Sequence, residues 1–307
     1  MRPTVHALAP AKLNLALSVG GCNKNGMHPI CSWMVTVNLH DEVTLERLDT
    51  DARSMYAILW HPEAKQRSEI DWSITNDLAV RAHHAVEEHV GRKLPVKMRL
   101  DKRIPVGGGL GGGSSNAAAM LRATNELFEL KLDHEQLAKI GQSLGSDVPF
   151  LVCGGSAVVE GLGERLQPMR FPTDMHAVLV LPSVACPTGA VYRAFDALVP
   201  QAVLQTDRVH SMAARSEAPA MHEPFNDLAE PAFEVAPKLR GEREEISELI
   251  QRPVHVSGSG STLFFLCNGP AESELLADAV ARHMSIPAIP VQGVATQAPT
   301  WLHRQGS

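Results

Sequence analysis

Three observations predict an α+β fold. Strand-like and helix-like stretches are mixed along the chain without the strict alternation that builds a parallel sheet. Val96, Met98 and Leu100 alternate with Lys97, Arg99 and Asp101, the pattern of a half-buried strand. Ala117, Met120, Leu121, Thr124 and Phe128 then recur at helical spacing, so one face of that segment packs. Between strand and helix lies the most informative stretch. Six of the seven residues from Gly107 to Gly113 are glycine, and Ser114 and Ser115 follow directly.

The elements can be justified in order. Ala7, Ala9, Ala11, Leu13, Leu15, Leu17 and Val19 hold alternate positions, which predicts a strand over 7–19 with one apolar face. Lys12 and Asn14 then project together from the other face. Further strands are predicted over 33–45 and 95–100, and helices over 115–130 and 134–144, with the two serines capping the first helix. Asp133 with Gln136 three residues on is a capping-box pattern, and Gly145 is placed to end that helix. In the C-terminal half the pattern gives a strand over 176–181, helical pieces, and a strand pair split by the Ser257–Ser261 turn. Residues 49–71 and 200–224 read as variable loops. The change of character at Phe171-Pro172-Thr173-Asp174 sets a domain boundary, giving 1–172 and 173–307.

Composition narrows the function classes. A chain of 307 residues, 44% hydrophobic and 20% charged, is ordinary for a globular enzyme with a full core. The formal net charge of −6 argues against a general nucleic-acid or anionic-membrane binder but leaves room for local basic pockets. No leader-like apolar segment opens the chain, and no run approaches the roughly 18 apolar residues of a spanning helix. A cytoplasmic protein, monomer or homodimer, is expected. The five cysteines (Cys22, Cys31, Cys153, Cys186 and Cys267) are scattered and odd in number, as reduced thiols are. Cys22, His28 and Cys31 lack paired zinc spacing.

Glycine permits positive φ and close approach of a ligand to the backbone. A glycine run opening a helix presents free N–H groups and the positive end of the helix dipole, which together bind phosphate. A Walker A loop needs Lys-Ser/Thr after its last glycine, whereas this run ends Gly113-Ser114-Ser115. A dinucleotide fingerprint can be traced through Gly107, Gly109 and Gly112, but the acidic residue about 20 positions on is missing. The catalytic-loop and Asp-Phe-Gly motifs of protein kinases are absent. A flexible linker is the alternative, but linkers are not usually flanked by a regular strand and helix. A phosphate-binding loop of a fourth kind remains.

The run from Pro105 to Asn116 resembles the phosphate loop of the GHMP kinases. Within that family the triple-glycine form is most similar to the 4-diphosphocytidyl-2-C-methyl-D-erythritol kinases of non-mevalonate isoprenoid biosynthesis. Ala9-Pro10-Ala11-Lys12-Leu13-Asn14-Leu15, Leu144-Gly145-Ser146-Asp147-Val148-Pro149-Phe150, Pro187-Thr188 with Tyr192, Phe225-Asn226-Asp227-Leu228 and Ser257–Ser261 match family segments in the same order. The resemblance implies a ribosomal-protein-S5-like N-terminal domain and a ferredoxin-like C-terminal domain with the active cleft between them. It implies ATP and Mg²⁺, and a small-molecule alcohol as phosphoryl acceptor. Asp147 is then the general base and Lys12 the cation that steadies the developing charge. Lys102, Pro105, Gly107, Gly108, Gly109, Leu110, Gly111, Gly112, Gly113, Ser114 and Ser115 are expected to hold the nucleotide, with the Ser115 hydroxyl near the metal. Asn14, Met27, His28, Thr188 and Tyr192 are expected at the substrate.

Two positions depart from that pattern. Where the cytidyl kinases have Asp-Gly-Tyr-His, this chain has Asn25-Gly26-Met27-His28. His28 can still bond the base edge, but Met27 replaces a stacking ring. Base–aromatic stacking is worth about 1–3 kcal/mol, so cytosine binding weakens unless Tyr192 supplies the platform. Asn76-Asp77-Leu78 also inverts the usual Asp-Asn-Leu order. The alternatives are another GHMP kinase, with a homoserine, mevalonate-type or sugar acceptor, or a silent nucleotide-binding regulator. The presence of both Lys12 and Asp147 argues against the regulator.

Overall fold

A computed structural model of the chain describes residues 2–215 and 217–294. In chain order the elements are β1 (Thr4–Val19), β2 (Ile30–Arg47), β3 (Met55–Trp60), α1 (Leu78–Val90), β4 (Val96–Lys102), α2 (Gly112–Leu127), α3 (His134–Gln142), α4 (Val148–Cys153), β5 (Ser156–Gly161) and β6 (Arg165–Pro168). They continue as β7 (His176–Val180), α5 (Thr188–Leu198), α6 (Thr206–Ala213), β8 (Phe225–Asn226), α7 (Ala229–Val235), α8 (Pro237–Ile250), β9 (His255–Val256), β10 (Leu263–Cys267), α9 (Pro270–Met284) and β11 (Ala288–Gln292).

The strands form two sheets. In the first, β1 and β2 pair antiparallel along nearly their whole length. The other edge of β2 is shared, Ile30–Val35 with β5 and Glu42–Arg47 with β4. β3 lies parallel to β4, the two being joined through α1. The short β8 returns from the C-terminal half to pair parallel with β1 at Ala16 and Leu17. The second sheet has the order β11-β7-β10-β9, all antiparallel.

Three buried clusters follow from this layout. Helices α1 to α4 cover one face of the first sheet around Met98, Leu100, Met120 and Phe150. A middle cluster joins the sheets, with Leu13, Leu15 and Trp33 against Leu179 and Phe264. The third buries the second sheet under α5 and α7 to α9.

The structure corrects several sequence expectations. The predicted single apolar face of β1 is broken by register shifts between Pro10 and Lys12 and between Asn14 and Ala16. Ala7 and Ala9 therefore pack with the helices, Ala11, Leu13 and Leu15 join the middle cluster, and Leu17 and Val19 join the third. The stretch read as a loop over 49–71 contains β3, and that over 200–224 contains α6. Both are short, and their partners lie far off in sequence. The Asp133–Gln136 capping box is present, but α3 stops at Gln142, before Gly145.

One buried cation holds the helical layer to β1. Arg122 on α2 donates to the carbonyls of Leu151 and Leu8 at 2.6 and 3.0 Å, and so satisfies the open C-terminal end of α4. Burial lowers its pKa to about 10, which leaves the guanidinium charged at neutral pH. Each buried carbonyl that loses its donor costs about 1–3 kcal/mol. Arg122→Met is therefore expected to lower unfolding stability by about 3 kcal/mol or more in a denaturant melt. A loss under about 0.5 kcal/mol, the scale of a neutral surface change, would mean that Arg122 does not hold these carbonyls.

Candidate active site

The glycine loop is fixed at its base by a buried carboxylate that the sequence reading did not single out. Asp41 on β2 is fully buried. Its oxygens accept from Lys102 Nζ at 2.8 Å and from the backbone N–H groups of Arg103 at 2.5 Å and Ile104 at 2.7 Å. The chain leaving β4 is thus held rigid where the loop begins. A buried pair is costly to form and costlier to break, since one partner left alone is an uncompensated charge. Lys102 lines the cleft, but its ammonium is committed to Asp41.

From this anchor the loop runs through Gly107, Gly109 and Gly111 at φ of 73, 75 and 69°, the left-handed region that favours glycine. The backbone N–H of Lys12 donates to Leu110 O at 3.0 Å, tying the loop to β1. The Ser257–Ser261 turn presses on its other side. Thr262 N donates to Gly108 O, and Ser257 Oγ donates to Gly109 O. A Cβ at Gly109 would stand 2.2 Å from the Ser257 carbonyl, so only glycine fits. Helix α2 opens at Gly112 with Gly111 as its N-cap, and no side chain caps it. The serines expected to cap the helix lie inside its first turn. Its leading N–H groups stay available to an anion, in addition to the dipole.

Across the loop stand Lys12 and Asp147. Asp147 is the N-cap of α4, and its carboxylate makes no capping bond there. It faces Lys12 instead, with Nζ 3.6 Å from Oδ2. Lys12 Nζ also donates to Asn14 Oδ1 at 2.7 Å, Asn14 Nδ2 to Ser32 Oγ, and Ser32 Oγ to Ala16 O, each at 2.8 Å. This buried relay fixes the lysine head. A Cβ on Gly111 would touch the Lys12 stem at 3.0 Å, so loop and lysine are in direct contact.

These groups line one cleft of about 500 Å³, together with Asn14, Lys102, Pro105, the loop from Gly107 to Ser114, Thr188 and Tyr192. Ser115 is not among them. It is fully buried, and its hydroxyl donates to Pro10 O at 2.7 Å, away from the position the resemblance implied. Asn116, the next residue, does reach the cleft and keeps a buried, unpartnered Oδ1. Thr188 Oγ1 and Ser259 Oγ lie 3.0 Å apart. Asp77 caps α1 through Ala79 N and accepts from Trp72 Nε1 at 3.1 Å, and both Asp77 and Trp72 line the cleft.

His28 and Tyr192, far apart in sequence, meet with ring centroids 4.9 Å apart. Burial, with the Asp147 charge nearby, pushes the Tyr192 phenol up to about 12, so it stays neutral. Asp196, one helical turn after Tyr192, lies 2.7 Å from His28 Nε2 and fixes the orientation of the imidazole. No sequence pattern marked that carboxylate. Neither His28 nor Met27, which is 49% exposed, is part of the cleft lining; His28 reaches it through Tyr192.

Comparison with known proteins identifies the family. The GHMP kinases N terminal domain profile matches residues 77–155. A 4-diphosphocytidyl-2-C-methyl-D-erythritol kinase of Caulobacter sp. (strain K31) is 38% identical over 282 residues, covering 89% of this chain and 92% of that protein. An enzyme of the same name from Thermus thermophilus is 35% identical over 273 residues, covering 89% and 91%. A crystal structure of 4-(cytidine 5'-diphospho)-2C-methyl-D-erythritol kinase superposes with a TM-score of 0.73 at 33% identity, covering 94% of this chain and 99% of that one. Homoserine kinase from Cytophaga hutchinsonii, at 16% identity and a TM-score of 0.63, shares the fold. This chain belongs to the 4-diphosphocytidyl-2-C-methyl-D-erythritol kinase family of the GHMP kinases, and it is an ATP-dependent small-molecule kinase.

Proposed function

We propose that this enzyme transfers the γ-phosphoryl group of ATP to the 2-hydroxyl of 4-diphosphocytidyl-2-C-methyl-D-erythritol, a step of non-mevalonate isoprenoid synthesis. The observation that carries the reading is the Lys12–Asp147 pair, 3.6 Å apart and facing the glycine loop in one cleft. Asp147 takes the hydroxyl proton as that oxygen attacks the γ-phosphorus, and the bond to the β–γ bridging oxygen breaks to release ADP. Lys12 carries positive charge next to both the attacking oxygen and the carboxylate. Phosphoryl transfer asks mainly for positioning and charge neutralisation, which this set supplies. The loop N–H groups and the α2 terminus hold the phosphates.

Mg²⁺ fits the cleft by donor type. Asn116 Oδ1 is buried and unpartnered, and Asn116 and Ser114 both line the cleft and offer oxygen donors, as a hard cation requires. We assign the ion to these residues, not to Ser115. When bound, it neutralises charge on the phosphate oxygens. The cytosine is assigned to the His28–Tyr192 pair, with Asp196 positioning His28. We place the lobe boundary near residue 172, since every strand of the first sheet except the short β8 ends by Pro168 and the second sheet begins at His176. Exposure of Met27 favours a second reading, another GHMP acceptor, which the same assay addresses. In an ATP-consumption panel of the cytidyl erythritol, homoserine, mevalonate derivatives and galactose, the first should dominate kcat/KM.

Asp147→Asn keeps shape and hydrogen bonding but takes no proton. Turnover should fall by about 10²–10⁴-fold with ATP binding nearly unchanged. Lys12→Ala should also cost turnover. The double variant should be little worse than the poorer single one, because both residues serve one charge arrangement. Near-normal turnover in Asp147→Asn would remove the base assignment.

Gly111→Val would strike Lys12, so Gly107 is the cleaner probe of the loop. Nothing lies within 4 Å of a Cβ built there. Gly107→Val should raise KM for ATP about tenfold or more, at a backbone cost of about 1–2 kcal/mol. Unchanged KM in a folded variant would take the loop out of the ATP site.

Met27→Tyr should tighten the cytidyl substrate, by up to about 1–3 kcal/mol if the new ring reaches the base. Loss of cytidyl turnover while another acceptor is turned over would overturn the substrate assignment.

A further inference from the structure

Outside the cleft, Cys31, Glu160 and His210 place a thiol, a carboxylate and an imidazole nitrogen all within 4.8 Å of one another. They come from three elements. Cys31 on β2 and Glu160 on β5 are direct cross-strand partners in the antiparallel register, which sets their side chains on one face. His210 comes down onto them from α6. The Sγ–Oε1 separation is 3.9 Å, and the Nε2–Oε1 separation is 3.5 Å. Ligands of one tetrahedral zinc, bonded at about 2.0–2.3 Å, stand roughly 3.3–3.7 Å apart, so both separations to Glu160 are within a few tenths of an ångström of ligand spacing, while the thiol and the imidazole, within 4.8 Å of each other, have up to about 1 Å to close. The donor set suits a borderline-soft divalent ion and not Mg²⁺ or Ca²⁺, which take oxygen.

The two other groupings of this kind among the described residues fit an ion less well. His28 Nε2 and Asp196 Oδ1 are 2.7 Å apart, a direct hydrogen bond and too close for two ligands of one ion. His83 has both ring nitrogens engaged, with the Tyr56 hydroxyl and the Leu94 carbonyl. At the Cys31 cluster, the remaining neighbours are Thr206, whose hydroxyl reaches the thiol, and Arg165, whose Nε is 4.0 Å from the other oxygen of Glu160. Cys31 is fully buried, whereas the side chains of Glu160 and His210 are 26% and 31% exposed. An ion can therefore enter from the solvent side and complete a fourth position with water.

We propose that Cys31, Glu160 and His210 form a divalent transition-metal site, zinc by ligand class, which pins α6 to the first sheet. Its place in the fold gives it a use. Cys31 follows Ile30, which lines the active cleft, and α6 packs over β1 and β2. An ion here stiffens the start of β2 close to His28. The reading is independent of the phosphoryl acceptor.

Metal-free full-length protein titrated with Co²⁺ tests the site by the thiolate-to-cobalt charge-transfer absorption. One equivalent should bind with that band, and Zn²⁺ should displace it. Cys31→Ser should abolish the band, and Glu160→Gln and His210→Gln should each weaken binding about tenfold or more. No band in the wild type, a band that persists in Cys31→Ser, or unchanged affinity in either other variant would overturn the proposal. If Cys31→Ser does not fold, the two partly exposed positions decide the matter by the same affinity criterion.

Discussion

The two glycine-rich turns touch backbone to backbone, and the rest of the site is arranged around that contact. At Gly109 the space for a side chain is already taken by the Ser257 carbonyl and by Gly260. This approach lets Thr262 and Ser257 bond the carbonyls of Gly108 and Gly109, so a loop of the first sheet and a turn of the second become one wall. Asn226 reinforces it from below, donating to the carbonyls of Val256 and Gly258 at 2.9 and 2.7 Å. Asp227, beside it, accepts from Ser18 and from the backbone of Val19 on β1, each at 2.9 Å. The cleft is therefore built where both sheets contribute backbone, and its polar groups are positioned before any ligand arrives.

The charges around the cleft follow one rule: each buried cation has a designated acceptor. Lys102 has Asp41, Lys12 has Asn14 and Asp147, and Arg122 has the carbonyls of Leu8 and Leu151. Desolvation makes an unpartnered charge expensive, so these pairings fix geometry as well as neutralise it. They also divide the labour. Lys102 and Arg122 hold the loop base and the end of α4, which leaves Lys12 and Asp147 as the pair that faces the open cleft.

The first strand shows how much a local irregularity controls. Strict alternation would give β1 one apolar face from Ala7 to Val19. The shift after Pro10 instead lets Lys12 meet the loop and Asn14 line the cleft beside it, while Ala11, Leu13 and Leu15 turn to the second sheet. A strand of 16 residues can thereby serve three cores in succession. Bulges of this kind re-aim side chains next to functional sites.

The sequence by itself determined the α+β class, the strand–loop–helix unit around Gly107–Gly113 and the capping box at Asp133. These are set by contacts between residues a few positions apart, where periodicity and turn chemistry are legible. The resemblance singled out Lys12, Asp147, His28 and Tyr192 because they lie in recognisable runs. Tertiary structure alone decided that Asp41 anchors the loop and Asp196 holds His28, that Ser115 turns to Pro10 while Asn116 faces the cleft, and that Cys31 meets His210. In each case the partners are separated by many residues and no local pattern links them. Only the register of the sheets and the docking of α5 and α6 bring those residues together.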